Sequence, residues 1–181
     1  MKSIKIPLWG LGRYAARGIV VIIIAWLLIK TSTRIADKKQ VETNLQTLPV
    51  ASVLGLDSAQ FSIAKWTDNQ AIIIFYFDPN CEHCQSEAQA LKKQAEAFKE
   101  AKLLWVSVAR LAELRVFEQK YQLQKTFGNN LQIAQITPEV ADKQFGFRVV
   151  PTILIYDSHQ KLVKKYVGET KIETLQKYIA P

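Results

Sequence analysis

The chain's two cysteines, Cys81 and Cys84, stand two residues apart in the segment "DPNCEHCQSEAQAL". Three chemistries use such a pair: a zinc site, a structural clip and a working dithiol. A structural zinc takes four ligands. The two histidines of the chain are poorly placed to complete that set, since His83 points away from the face of its neighbours and His159 falls in a distant predicted turn. A Cys81–Cys84 disulfide serving only as a clip would close a loop of four residues and restrain the unfolded chain little. Disulfide exchange needs an exposed thiolate that attacks and a sheltered partner that resolves the mixed disulfide, and the flanking sequence favours it.

The elements around the pair show why. "AIIIFYF" (Ala71–Phe77) is a continuous apolar run bounded by Asp68-Asn69-Gln70 and Asp78-Pro79-Asn80. Such a run predicts a strand buried on both faces in the middle of a sheet. Cys84, Ala88, Leu91, Ala95 and Phe98 then recur at spacings of 4, 3, 4 and 3, one face of an α-helix, with Asn80 as its N-cap. Cys81 falls in the first turn, where unpaired N–H groups and the helix dipole favour a thiolate. Cys84 lies on the apolar stripe and is predicted to be the more buried.

Downstream, "AKLLWVSVA" (Ala101–Ala109) predicts a strand, Leu111–Phe127 a helix, Leu131–Ile136 a strand and Pro138–Phe145 a short helix with proline in its first turn. "PTILIYD" and "KLVKKYV" predict a hairpin through Ser158-His159-Gln160, and Ile172–Ala180 a closing helix. The segment before Ala71, "VASVLGLDSAQFSIAKW", suggests a short hairpin or edge strand. The alternation of strands and helices predicts an α/β sandwich with parallel strands at its centre.

Net charge is +8, from 24 Lys+Arg and 16 Asp+Glu. Residues 1–39 hold eight basic groups and one acid, a net of +7, which leaves +1 for the rest. A nucleic-acid-binding domain carries its charge on the folded surface, so nucleic acid is not an expected partner. The basic arm contains the apolar run "GIVVIIIAWLLI" (Gly18–Ile29). Two readings compete: a signal-peptide core, for which the following "KTSTRIADKK" offers a poor cleavage site, and an uncleaved anchor, which needs about 20 apolar residues. The anchor is favoured if Arg17 and Lys30 snorkel to the two interfaces. The expected organisation is a basic segment over 1–17, a membrane anchor or signal core over 18–30, a polar tether over 31–47 and a domain over 48–181.

Three stretches resemble a known family: "FYFDPNCEHC", a strand leading into C-x-x-C at a helix start; "FGFRVVPTILIYD", with its Pro-Thr strand; and "KLVKKYVGE", a last strand followed by glycine. Over Leu48–Ala180 the chain looks like a thioredoxin-fold domain. As a whole it resembles a membrane-anchored thiol:disulfide oxidoreductase of the TlpA/ResA type.

The resemblance implies a central mixed sheet with helices on both faces. It implies Cys81 as nucleophile, Cys84 as resolving residue, and a reversible Cys81–Cys84 disulfide. Pro151 would be cis, and Val150, Pro151 and Thr152 would receive an extended substrate peptide. The plainer alternative for Pro151 is an edge-strand proline. Glu82 and His83 would tune the pair in opposite senses. Two departures stand out: Asn80 occupies a place where many relatives have Trp, and the central strand lacks a buried acid. The proton acceptor for Cys84 therefore stays open among Asp78, Glu82 and a residue of the early hairpin.

The implied protein is an enzyme without cofactor or metal. It would sit single-pass in a bacterial cytoplasmic membrane through residues 18–30, with its domain on the extracytoplasmic (periplasmic) side. It would exchange with thiols or disulfides of envelope proteins, act as a reductant, and draw on a membrane-borne thiol partner. The alternative is a binding module of the same fold that holds a thiol client or Cu(I).

Overall fold

The structure is a computed structural model that describes residues 8–68 and 70–179, without the side chains of 8–17, 20, 21 and 37. It divides into two compact units, 1–40 and 41–181.

The described part of the first unit, residues 8–40, belongs to α1 (Leu8–Asn44). The apolar side chains of Ile19, Ile22–Ile24 and Trp26–Ile29 are exposed along it. Thr31 and Ser32 return their hydroxyls to the carbonyls of Leu27 and Leu28, which lets a polar side chain sit mid-helix. Among the described residues no helix is long and apolar enough to cross a membrane. The uninterrupted apolar run, Gly18–Ile29, is shorter than the roughly 20 residues that span a bilayer.

The second unit begins earlier than the sequence suggests. Residues 31–44, expected as a polar tether, are helical. Leu45 and Leu48 are buried and Val41 packs beside them, in a cluster with Phe145, Phe147 and Tyr156. Leu48 N–H donates to the Gln160 carbonyl (2.8 Å) and Leu162 N–H to that of Gln46 (3.0 Å). Leu45 and Leu48 follow beyond the end of α1, where Thr47 forms a bridge with Lys161, so their burial comes from tertiary packing that the polar sequence around them does not announce.

A seven-stranded sheet forms the centre, in the order β2-β1-β5-β4-β3-β6-β7. Its strands are β1 (Ser52–Gly55), β2 (Gln60–Ser62), β3 (Ile72–Tyr76), β4 (Lys102–Ser107), β5 (Leu131–Gln135), β6 (Thr152–Tyr156) and β7 (Leu162–Val167). The inner β5-β4-β3 trio is parallel, and the flanking pairs are antiparallel. The early segment resolves as the β1–β2 hairpin followed by α2 (Ile63–Thr67).

β3 is buried along its whole length because each face feeds a different core. Ile73, Phe75 and Phe77 pack on the side of α3 (Glu82–Lys93), α4 (Leu111–Tyr121), α5 (Leu123–Phe127) and α7 (Glu173–Gln176). Ile72, Ile74 and Tyr76 pack against the end of α1, α2 and α6 (Pro138–Lys143). Each such side chain contributes about 1.5–3 kcal/mol on burial.

The helices differ from the sequence expectation in several places. The closing helix expected over Ile172–Ala180 is, among the described residues, α-helical only over Glu173–Gln176. The N-cap of α3 is Cys81, not Asn80. That helix ends at Lys93, and Ala95–Phe98 continues as a tighter 3-10 turn that still buries Phe98. The helix expected over 111–127 breaks at Gln122, which adopts left-handed φ/ψ of 55° and 41°. There the Glu118 carboxylate accepts from the backbone N–H of Gln124 (3.0 Å), satisfying a donor that the new helix start leaves open.

Candidate active site around Cys81 and Cys84

The C-terminal end of β3 delivers the chain into a tight turn. The Asp78 carboxylate accepts from Asn80 N–H (2.7 Å), and the Asp78 carbonyl accepts from Cys81 N–H (3.1 Å). The Gln85 amide reaches back to the Pro79 carbonyl (2.8 Å). Beneath the turn, Trp105 stacks on Phe75 (4.7 Å between ring centroids) and meets Phe77 edge-on (5.1 Å), while Phe117 lies 4.7 Å from Phe77. This aromatic floor fixes the place where α3 starts.

Cys81 is half-buried at the N-cap, with its carbonyl accepting from Gln85 N–H (3.0 Å). Cys84 is fully buried on the inner face. Both are free thiols, the dithiol form of the pair. Burial pushes the Cys84 thiol far above its ordinary range. A hydrogen bond with the Asp78 backbone pulls it back in part, and the Cys81 sulfur and the charge of Glu87 add to the rise.

Sequence reasoning misses Glu87. It is the buried acid nearest the pair in influence, at 3% exposure, on the same stripe as Cys84, Ala88 and Leu91. Its carboxylate accepts from the backbone N–H of Thr170 (3.0 Å). Burial pushes its pKa up to about 7, the Thr170 hydrogen bond opposes the rise and the charge of Glu169 adds to it. Gly168, at φ 89°, makes the turn that brings Thr170 there. Glu87 also lines a recess of about 470 Å³ with Ser86, Ala90, Glu169 and Thr170, a path to solvent for a proton. A glutamate three residues after Cys84 on the apolar stripe is the signal the sequence offers for it.

The acceptors expected from the sequence are placed differently. The Asp78 carboxylate is engaged in the turn, Glu82 is exposed, and in the early hairpin Asp57 binds Ala59 N–H (2.9 Å). His83 Nδ1 lies 2.8 Å from Glu169 Oε2, both side chains well exposed.

The Val150–Pro151 bond is cis. Register brings this loop to the dithiol end of the sheet, because Tyr76 pairs with Thr152 and the Tyr76 ring stacks on Phe147 (4.5 Å). Pro151 and Thr152 are buried, and Val150 is half-buried. Val150 and Cys81 pack against the same core cluster. Thr152 Oγ1 donates to the Val149 carbonyl (2.7 Å), and the Pro151 carbonyl accepts from Gly168 N–H (2.8 Å).

Comparison with known proteins matches the same architecture. The family model of the Thioredoxin-like domain matches residues 58–180. Among solved structures, DsbF of Mycobacterium tuberculosis superposes with a TM-score of 0.61 at 19% identity, covering 75% of this chain and 94% of that one. StoA from Bacillus subtilis gives 0.59 at 16%, with 75% and 99% covered. A thiol:disulfide interchange protein of the thioredoxin family from Chlorobium tepidum gives 0.60 at 18%, with 74% and 93% covered. A search of curated proteins gives no match.

Proposed function

The chain belongs to the thioredoxin-like family; from that premise, we propose that it is a thiol:disulfide oxidoreductase whose Cys81 and Cys84 exchange disulfides with proteins outside the cytoplasm, in the reducing direction. The observation that carries this reading is the asymmetry of the pair: a half-buried Cys81 at the start of α3 and a buried, hard-to-ionise Cys84.

The Cys81 thiolate attacks one sulfur of a substrate disulfide. A Cys81–substrate S–S bond forms, the substrate S–S bond breaks, and the other substrate sulfur leaves as a thiolate. Glu87 accepts the Cys84 proton. The Cys84 thiolate then attacks Cys81 Sγ, closes the Cys81–Cys84 disulfide and releases the second substrate thiolate. Two electrons pass to the substrate, and a dithiol partner restores the pair by the reverse exchange. Val150 offers backbone groups to the substrate chain beside Pro151.

Membrane attachment through residues 18–30 is part of this reading. Exposed Ile, Leu and Trp side chains there form an apolar surface of a kind that soluble surfaces rarely present, flanked by Arg17 and Lys30. The reducing direction and the membrane-borne thiol partner rest on the resemblance to TlpA/ResA-type proteins. Glu82 and His83 remain as tuning residues in this reading.

The alternative is a Cu(I) carrier, for which the two thiolates are suitable soft donors; among the described residues no group of three His, Cys, Asp or Glu is placed to hold a metal. A Cys84→Ser variant separates the readings. It is expected to accumulate a mixed disulfide through Cys81 when given a peptide disulfide, seen as an added mass that dithiothreitol removes. A variant that traps nothing while the wild type binds copper would favour the carrier.

A further inference from the structure

Beside the dithiol, between the start of α3 and the outer face of α4, lies a pocket of about 360 Å³ lined in part by Pro79, Asn80, Val116, Phe117, Lys120 and Tyr121. We propose, on the basis of the exchange reading above, that it is a specificity pocket for one side chain of the substrate protein: an aromatic residue with a polar tip, tyrosine above all, close in sequence to the reacting cysteine.

Position comes first. Pro79 and Asn80 immediately precede Cys81, so a polypeptide joined to Cys81 by a mixed disulfide passes the mouth of the pocket. An extended chain advances about 3.3 Å per residue, which puts a residue within a few positions of the substrate cysteine in reach. The volume lies at the low end of the range for ligand pockets, roughly 300–1,000 Å³, and suits one large side chain better than a whole ligand.

Chemistry narrows the occupant. The walls are apolar at Pro79, Val116 and Phe117, and Val116 is 62% exposed, an unusual place for a β-branched apolar residue on a charged helix. Tyr121 lines the pocket and is itself buried. The free charge at the rim is positive: Glu113 is neutralised by Arg110 (2.9 Å). Lys120 lies over the Tyr121 ring (5.0 Å) and hydrogen-bonds the Gln85 amide oxygen (3.4 Å). An apolar ring that ends in an oxygen acceptor answers both the apolar walls and the positive rim.

The test uses the full chain and a set of synthetic peptide disulfides with one cysteine and one tyrosine, the tyrosine walked from three residues before the cysteine to three after, plus an all-alanine parent. Oxidised glutathione reports exchange that needs no pocket. The expected result is one tyrosine position whose kcat/KM exceeds that of the parent by on the order of tenfold, the scale of burying one large side chain. In Val116→Asp the tyrosine-to-parent ratio is expected to fall to near one, and Val116→Lys, at the same exposed position, serves as the second variant. Using the ratio within each variant cancels any general change in activity. A wild type that turns over every peptide at similar rates, or a preference that survives both variants, overturns the pocket while leaving the exchange reading intact. A chain that reduces neither glutathione disulfide nor any peptide overturns both.

Discussion

The carboxyl of Glu87 lies one helical turn beyond the thiol of Cys84, on the same buried stripe of α3, and its charge raises the cost of ionising that thiol. The two groups are matched in an unusual way. The thiol holds its proton tightly because it is buried, and the carboxyl, also buried, titrates near about 7. An acid tuned near neutrality is suited to take a proton that the resolving step must shed.

Glu87→Gln is therefore expected to slow resolution of the mixed disulfide by on the order of a hundredfold while leaving the first attack by Cys81 little changed. In the wild type the resolving rate is expected to climb with pH and level off once Glu87 is ionised, near about 7. In the variant that limb should vanish. Single-turnover release of a peptide thiol, followed across pH, measures both, and equal profiles for the two proteins would remove Glu87 from the mechanism.

The same residue makes stability depend on pH. Its folded-state pKa, about 7, lies above its ordinary value of 4.5, so the folded form binds the proton more tightly. The stability that follows is fully present below about pH 4.5 and is lost as pH rises through about 7. Glu87→Gln, which keeps an oxygen for Thr170 N–H, should match the wild type below about pH 4.5 and exceed it at pH 8 by roughly 3 kcal/mol. Urea unfolding at the two pH values reads the difference. A variant that is less stable at pH 8 would contradict the burial-driven shift.

The end of α1 is expected to be part of the domain energetically as well as spatially. Leu45 is 1% exposed in the cluster with Tyr156. Leu45→Ala should cost about 2–5 kcal/mol, and a chain that starts at residue 49 should melt well below one that starts at residue 41. Equal melting temperatures for the two chains would show that the docked turn contributes nothing.

Much of this arrangement is legible in the amino-acid sequence. Ala71–Phe77 reads as a central strand because β-branched and aromatic residues fill both of its faces, and C-x-x-C after Asp-Pro-Asn locates the helix start. The rest is hidden for physical reasons. Glu87 lies in a helix rich in polar residues, and only its offset from Cys84 marks it as inward. Gln122 breaks α4 through a left-handed backbone that composition does not announce. Leu45 and Leu48 sit in a polar context beyond the end of α1, and their burial comes from tertiary packing that this context does not announce. The pocket at Val116 depends on how α4 packs beside the turn at Pro79, a relationship between elements far apart in the chain.

The most direct test of the central claim is the reduction potential of the Cys81–Cys84 pair, equilibrated in graded thiol buffers and read by alkylation. The account predicts one two-electron transition, lost in Cys84→Ser, with a potential near or below about −270 mV, as a reductant requires. A potential towards about −120 mV would contradict the reducing direction and make the protein a disulfide donor, and the absence of any transition would contradict the exchange chemistry itself.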